Sequence, residues 1–306
     1  MQISVFAGVS AGESAIDATV EHLAQLQADG FRRVWLPQLP HEPDVLTVLA
    51  VVLREVDGLQ VGTGVIPIQN QHPMLLAQRA LTLSLIGQGR FRLGLGMTHQ
   101  AVTEGMWGIP WDRPVRRLRE YLDGLQPLLA GQHVEAVGQT VTTRGAVQVP
   151  GAAAPELFVA ALGPQLLRLA GARTDGTITW MTGPTTLADH IGPTLRAAAA
   201  DVGRPAGAVR VVACLPVSVT DDVDAARARA AEQFAVYGHL PSYRAMLERE
   251  GYTGPADVAI IGDEASVADR ILDLAAGGVD EFVGVVFDGD PEGRARTRAL
   301  LRRLDG

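Results

Sequence analysis

Lysine is absent from this 306-residue chain; all 26 basic residues are arginine. Schiff-base and pyridoxal-phosphate chemistry need an amine that can lose its proton, and a Walker-type phosphate loop needs its lysine. Arginine stays charged and serves in neither role. A codon bias toward high GC content accounts for the exchange, and the chemical exclusion holds whatever its origin. Cysteine is nearly absent. Cys214 stands alone, which excludes an intrachain disulfide and a thiolate metal cluster. Its neighbours Val211, Val212 and Leu215 mark it as a buried strand thiol. There is no run of 18 apolar residues, and the opening MQISVFAGVS lacks a basic stretch, a long apolar core and a cleavage site. Neither a membrane span nor a signal peptide is expected, and the expected compartment is the cytoplasm. HExxH is missing and the seven histidines are scattered, so no catalytic metal is expected. The net charge of −8 and pI near 5.4 argue against nucleic acid as a partner. A dinucleotide fingerprint also fails. Gly94-Leu-Gly96 meets His99 where the third glycine should stand, Gly62-Thr-Gly64 runs into Pro67, and Gly87-Gln-Gly89 leads to Arg92.

What is present is an alternation of strand and helix over a chain that is 47% hydrophobic, enough for a large core. Periodicity predicts strands at Ile3–Ala7, Arg33–Leu36, Leu59–Ile66, Phe91–Gly96, Leu157–Ala160, Thr177–Trp180, Val209–Val217 and Glu281–Phe287. Helices are predicted at Ser14–Ala28, Asp44–Val56, Pro73–Ile86, Val115–Leu129, after Gly163, within Thr185–Ala200, at Val223–Phe234, at Ser266–Ala276 and near 291–304. Eight βα units over this length predict an α/β fold, a single (β/α)8 TIM barrel spanning 1–306. The spacing breaks about 131–155, where Val134–Val137 and Thr140–Val149 read as a hairpin joined by Gly138-Gln139, and again at 237–258. Long insertions at the C-terminal ends of barrel strands are substrate walls or lids; elsewhere they are surface decoration or a dimer arm. Both readings stand at this point.

The stretch from Gly62 to Gly96, GTGVIPIQNQHPMLLAQRALTLSLIGQGRFRLGLG, resembles the luciferase-like flavin and coenzyme F420 oxidoreductases, with their strand, HP turn, AQ helix, GR turn and LGLG strand in order. Residues 159–176, VAALGPQLLRLAGARTDG, resemble the same superfamily's phosphate-binding strand, loop and helix. The resemblance implies a cis peptide at Gly64-Val65 that supports a flat cofactor ring. It also implies a phosphate site at Leu162, Gly163, Pro164 and Gln165, where proline suits a first helical turn and free N–H groups face an anion.

It further places Gly96, Met97, Thr98 and His99 at the barrel mouth beside the ring, with His99 as the proton-transfer candidate and an exposed loop histidine as the alternative. In F420-dependent sugar-phosphate dehydrogenases of the superfamily an acidic residue matches His99, so that substrate class is not implied. Gln38 falls where relatives place a polar ring contact, and His72 either touches the ring or caps its turn. Trp180 and Met181, with Trp107 and Trp111, are candidates to wall an apolar substrate pocket; Trp107 and Trp111 read as the more exposed pair. Arg113, Arg116, Arg117 and Arg119 receive the anionic tail of coenzyme F420 or form a solvated face.

The resemblance implies an oxidoreductase using coenzyme F420, with FMN as the alternative cofactor. A small organic substrate would be reduced by hydride transfer; a reduced-FMN monooxygenase and a non-catalytic ligand-binding barrel are the rivals. A homodimer is an expectation carried by the relatives alone.

Overall fold

A computed structural model describes residues 1–205 and 207–305. Twelve strands occur among them: β1 Gln2–Phe6, β2 Arg33–Leu36, β3 Gln60–Thr63, β4 Ile66–Pro67, β5 Phe91–Gly96, β6 Val134–Val137, β7 Thr142–Gly145, β8 Glu156–Ala160, β9 Gly176–Trp180, β10 Arg210–Val219, β11 Ile260–Gly262 and β12 Glu281–Val286. A helix follows nearly every parallel strand, and in chain order β1, β2, β3 with β4, β5, β8, β9, β10 and β12 are the eight strands of a (β/α)8 barrel. The chain forms two compact units, one of residues 7–28 and 34–160, the other of residues 1–6, 29–33 and 161–306.

In the unit of residues 7–28 and 34–160, β5 pairs in parallel with β3 (Val61 opposite Phe91), β4 (Ile66 opposite Leu95) and β8 (Leu95 opposite Val159). The expected single strand from 59 to 66 is two, β3 and β4, separated by a bend at Gly64 and Val65, whose peptide bond is cis. The GR turn has a physical task. Gln88 and Gly89 turn with positive φ, and the guanidinium of Arg90 donates to the carbonyls of Leu53, Val56 and Leu59. Those are carbonyls at the C-terminal end of helix Val45–Glu55 and just beyond, where a cation complements the dipole. A short helix, Gln100–Gly105, was not expected and follows β5 directly.

The hairpin differs from expectation. β6 and β7 pair Val137 with Thr142, so the turn spans residues 138–141 instead of Gly138-Gln139 alone. The carboxylate of Glu120 gathers the amides of Gln139, Thr140 and Val141, a tertiary demand that local turn chemistry does not encode.

In the unit of residues 1–6, 29–33 and 161–306, β10 is central, pairing with β9 along 210–214, with β12 along 212–217 and with β11 along 217–219. β12 pairs with β1. Apart from Arg210, every residue of β10 is buried, as expected for a parallel strand covered on both faces. Gly176 begins β9 at φ 154°, and a Cβ there would lie 2.1 Å from the Arg210 carbonyl oxygen, so the glycine of the DG motif is required for the strand pairing. Strand β11 and the helices Pro241–Glu250 and Pro255–Val258 lie in or beside the 237–258 insertion and were not expected; their runs are too short for a periodic signal. Cys214 is buried, and burial pushes its thiol pKa well up, the nearby Glu281 adding to the effect.

Candidate functional site

In the unit of residues 7–28 and 34–160, the ends of β3 and β5 build a backbone platform. Thr63 Oγ1 donates to the Gly94 carbonyl at 3.0 Å and accepts the Gly94 N–H at 2.9 Å, while Gly64 N–H donates to Leu36 at 2.7 Å. A Cβ at Gly94 would lie 1.9 Å from the Thr63 carbonyl oxygen, and one at Gly96 would lie 2.4 Å from Val65 Cγ2. The two glycines of LGLG are therefore the space into which the Thr63–Val65 turn fits. Gly62 likewise admits the Trp35 ring, which would stand 2.5 Å from a Cβ there and meets Phe158 edge-on at 5.5 Å.

The segment after β5 is held by Gln69, which sequence reasoning missed. Its side-chain oxygen accepts Thr98 N–H at 3.3 Å and its amide nitrogen lies 3.5 Å from the Thr98 carbonyl, fixing the half-buried Met97, Thr98 and His99. Nothing in the spacing marks Gln69, because its partner is 29 residues away. His99 is the N-cap of Gln100–Gly105, and its side chain makes no capping bond there. Burial lowers its pKa below the usual histidine value, favouring the neutral ring at neutral pH.

His72 caps helix Pro73–Gly87. Its Nδ1 accepts Met74 N–H at 3.2 Å, and its Nε2 donates to the Thr142 carbonyl at 2.9 Å, tying the helix start to β7. The amide of Gln38 bonds Leu39 and Val45 within its own loop. Trp107 and Trp111 are both half-buried, and the Trp107 amide closes the preceding helix on the Val102 carbonyl. Of the arginine cluster, Arg113 bonds Gln139 at the hairpin tip, and Arg116 and Arg119 are exposed. Arg117 lines a recess of about 390 Å³ shared with Gln69, Asn70, His72 and Thr140.

In the unit of residues 1–6, 29–33 and 161–306, Leu162 leads to Gly163, the N-cap of helix Pro164–Arg173. No side chain caps this helix, Pro164 occupies its first turn, and Gly163 to Gln165 are exposed. A Cβ at Gly163 would meet open space. The Leu162 carbonyl is held by His190 Nε2 at 2.9 Å. Uncapped N–H groups at the positive end of a ten-residue helix fit a phosphate.

Strand β9 ends at Trp180. Met181 follows in a left-handed conformation (φ 51°) and is fully buried, a strained position of the kind that concentrates at ligand sites. Trp180 lies among aromatics that the sequence did not bring together, Phe234 at 5.8 Å and Tyr237 at 5.5 Å between ring centres.

No helix among the described residues is long and apolar enough to cross a membrane, and no group of three or more metal-binding side chains occurs among them. The family model for luciferase-like monooxygenases matches residues 1–281. The chain is 31% identical over 252 residues to a 5,10-methylenetetrahydromethanopterin reductase of Methanolobus tindarius, covering 82% of this chain and 76% of that one. Among solved structures it resembles a coenzyme F420-dependent tetrahydromethanopterin reductase from Methanopyrus kandleri, with TM-score 0.80, 20% identity, and 99% and 97% of the two chains covered. It also resembles an F420-dependent secondary alcohol dehydrogenase in complex with an F420–acetone adduct, with TM-score 0.82, 18% identity, and 98% and 97% covered. The chain belongs to the luciferase-like monooxygenase family, as an enzyme of oxidation and reduction on the (β/α)8 fold.

Proposed function

We propose that this protein is a coenzyme F420-dependent oxidoreductase that transfers a hydride between the deazaflavin C5 and a small organic substrate, acting as a reductase. The observation that carries this reading is the Thr63–Val65 turn seated on Gly94 and Gly96, which offers bare backbone to a flat ring. The cofactor, when bound, gives up or takes the hydride. Support for F420 comes from relatives whose names are reductase or F420-dependent.

The chain's own residues do the rest. Gly64, Val65 and Gly96 would bear the ring, with Met97 and Thr98 at its rim and the cap pair Gln38 and His72 holding the loops that frame it. Leu162, Gly163, Pro164 and Gln165 would bind the phosphate through helix N–H groups. Trp180 and Met181 would exclude water from the substrate in the unit that holds them. His99 would accept a proton from the substrate oxygen as the neutral ring that burial favours, and give one to it in the reductive direction from the protonated ring.

Titration of the purified protein with coenzyme F420 and with FMN, each oxidised and reduced, tests the cofactor. Micromolar or tighter binding of F420 over FMN is expected. The second reading, a reduced-FMN monooxygenase, is favoured by the family's name and would show tighter binding of reduced FMN and oxygen uptake with substrate. Binding of neither cofactor would overturn both.

A further inference from the structure

The chain that leads to His99 is held past the end of its strand by a side chain. β4 and β5 pair Ile66 with Leu95 and Pro67 with Gly96, and the Ile68 N–H donates to the Gly96 carbonyl at 3.1 Å. Two residues further along β5, Gln69 takes over. Its Oε1 accepts the Thr98 N–H and its Nε2 donates to the Thr98 carbonyl, so one carboxamide serves both backbone groups that a neighbouring strand would serve. Gln69 is 8% exposed, and a carboxamide at that depth is costly to leave unpaired, which keeps it on Thr98. The loop that carries Gln69 is itself closed. Gln71 Nε2 donates to the Pro67 carbonyl at 3.4 Å, and Arg79 donates to Gln71 Oε1 at 3.2 Å.

The other side of His99 is fixed as firmly. Its carbonyl accepts the N–H groups of Val102 and Thr103, both at 3.0 Å, and the Thr103 hydroxyl at 3.1 Å. Thr103 is fully buried, and its own carbonyl accepts the Ile109 N–H at 2.9 Å, which anchors the holding turn in its turn. Between the two grips the His99 backbone is extended, with φ −77° and ψ 151°. The direction of its Cα–Cβ bond is therefore set by backbone, and only the two side-chain torsions remain to place the ring. Serine, threonine, aspartate or asparagine is the ordinary choice at an N-cap, and the His99 side chain makes no capping bond, so capping does not account for the imidazole there.

We infer that Gln69 and Thr103 are positioning residues for His99, clamping the backbone on either side of it so that the imidazole stands in one place before any substrate arrives. The inference rests on the reading of His99 as the proton-transfer group and deepens it by naming what aims the ring. Such a clamp matters to chemistry because a misplacement of about 1 Å can cost on the order of 10²-fold in rate.

Nuclear magnetic resonance of protein labelled with ¹³C-histidine, with neither cofactor nor substrate present, reads the ring directly, and His99→Gln assigns its signal. The wild-type Cε1–H order parameter is expected near that of rigid backbone, about 0.85, and Gln69→Leu is expected to bring it below about 0.6. Its titration midpoint should rise at the same time toward the ordinary histidine value, as the loosened ring gains access to water. Thr103→Val, which deletes only the hydroxyl, is expected to give an intermediate order, and Thr103→Ser to restore the wild-type value. His190, held on the Leu162 carbonyl, is the control for the fold and should keep its order throughout. A mobile ring in the wild type, an unchanged ring in Gln69→Leu, a serine variant that behaves as the valine one, or an equal loss of order at His190 overturns the assignment. Should Gln69→Leu fail to fold, the two Thr103 variants carry the decision. An activity that survives His99→Gln would remove proton transfer from His99 and leave these order parameters standing, so the two readings fail distinguishably.

Discussion

The carboxylate of Glu120 accepts both the amide (2.6 Å) and the hydroxyl (2.5 Å) of Thr140, twenty residues away, and the amides of Gln139 and Val141 besides. One side chain of helix Pro114–Leu129 thus supplies the acceptors for a whole hairpin turn. Desolvation pushes its pKa up, but the four hydrogen bonds outweigh it and bring the value to about 2. A carboxyl depressed in the folded state contributes stability above its unfolded pKa near 4.5 and loses it as pH falls toward 2. Glu120→Gln is expected to flatten the acid limb of urea-melt stability between pH 4.5 and 2. It should also speed tryptic cleavage after Arg144 several-fold at pH 7; an unchanged cleavage rate would count against the anchoring role.

Gly94 and Gly96 are not equivalent. A methyl group at Gly94 collides with backbone, whereas at Gly96 it meets the end of the Val65 side chain, which can rotate. Gly94→Ala is therefore expected to destabilise by about 1–3 kcal/mol or more and to abolish ring binding, with Gly96→Ala milder in thermal melts. A reversed order would show that the platform is not what the glycines serve.

His99 is predicted to set a limb of the pH–rate profile below the ordinary histidine value, because burial lowers its pKa: in the reductive direction, where the protonated ring gives the proton, the rate falls as pH rises through it, and in the oxidative direction, where the neutral ring accepts it, the rate falls as pH drops. His99→Gln should remove that limb and reduce kcat by roughly 10²–10⁴-fold. Retention of the limb in the variant assigns proton transfer elsewhere.

Gly163→Asp separates stability from binding at one position. Its φ of −78° suits any residue and its surroundings are open, so an aspartate can cap helix Pro164–Arg173, stabilising the fold by roughly 0.5–2 kcal/mol. The same carboxylate would repel a phosphate. A higher melting temperature with much weaker cofactor binding is expected; stabilisation with unchanged affinity would move the phosphate site away from this helix.

Glu250→Gln removes the charge that holds Thr185 and Thr186. Faster hydrogen exchange across 235–250, with unchanged exchange in β10, is the expected result. Uniform exchange changes would mean that Glu250 supports the fold at large and not the insertion.

Local pattern carried the alternation of strand and helix because a buried parallel strand needs a short apolar run and an amphipathic helix needs a 3.6-residue period, both written within a dozen residues. The glycines at 62, 94, 96 and 163, the HP cap at His72 and the lack of lysine were legible for the same reason: each acts on its own backbone or excludes a chemistry outright. What filled the space above Gly94 was not legible, since the Thr63 carbonyl arrives from 31 residues away. Nor was the turn at 138–141, set by Glu120 against the local preference of Gly138-Gln139, or the grip of Gln69 on Thr98. Trp180 could be placed at a strand end from local pattern, but Tyr237 and Tyr243 lie about sixty residues further on in short helices without a period. Their meeting depends on side-chain packing across sequence distances at which no local pattern constrains the chain, and only the tertiary structure decides it.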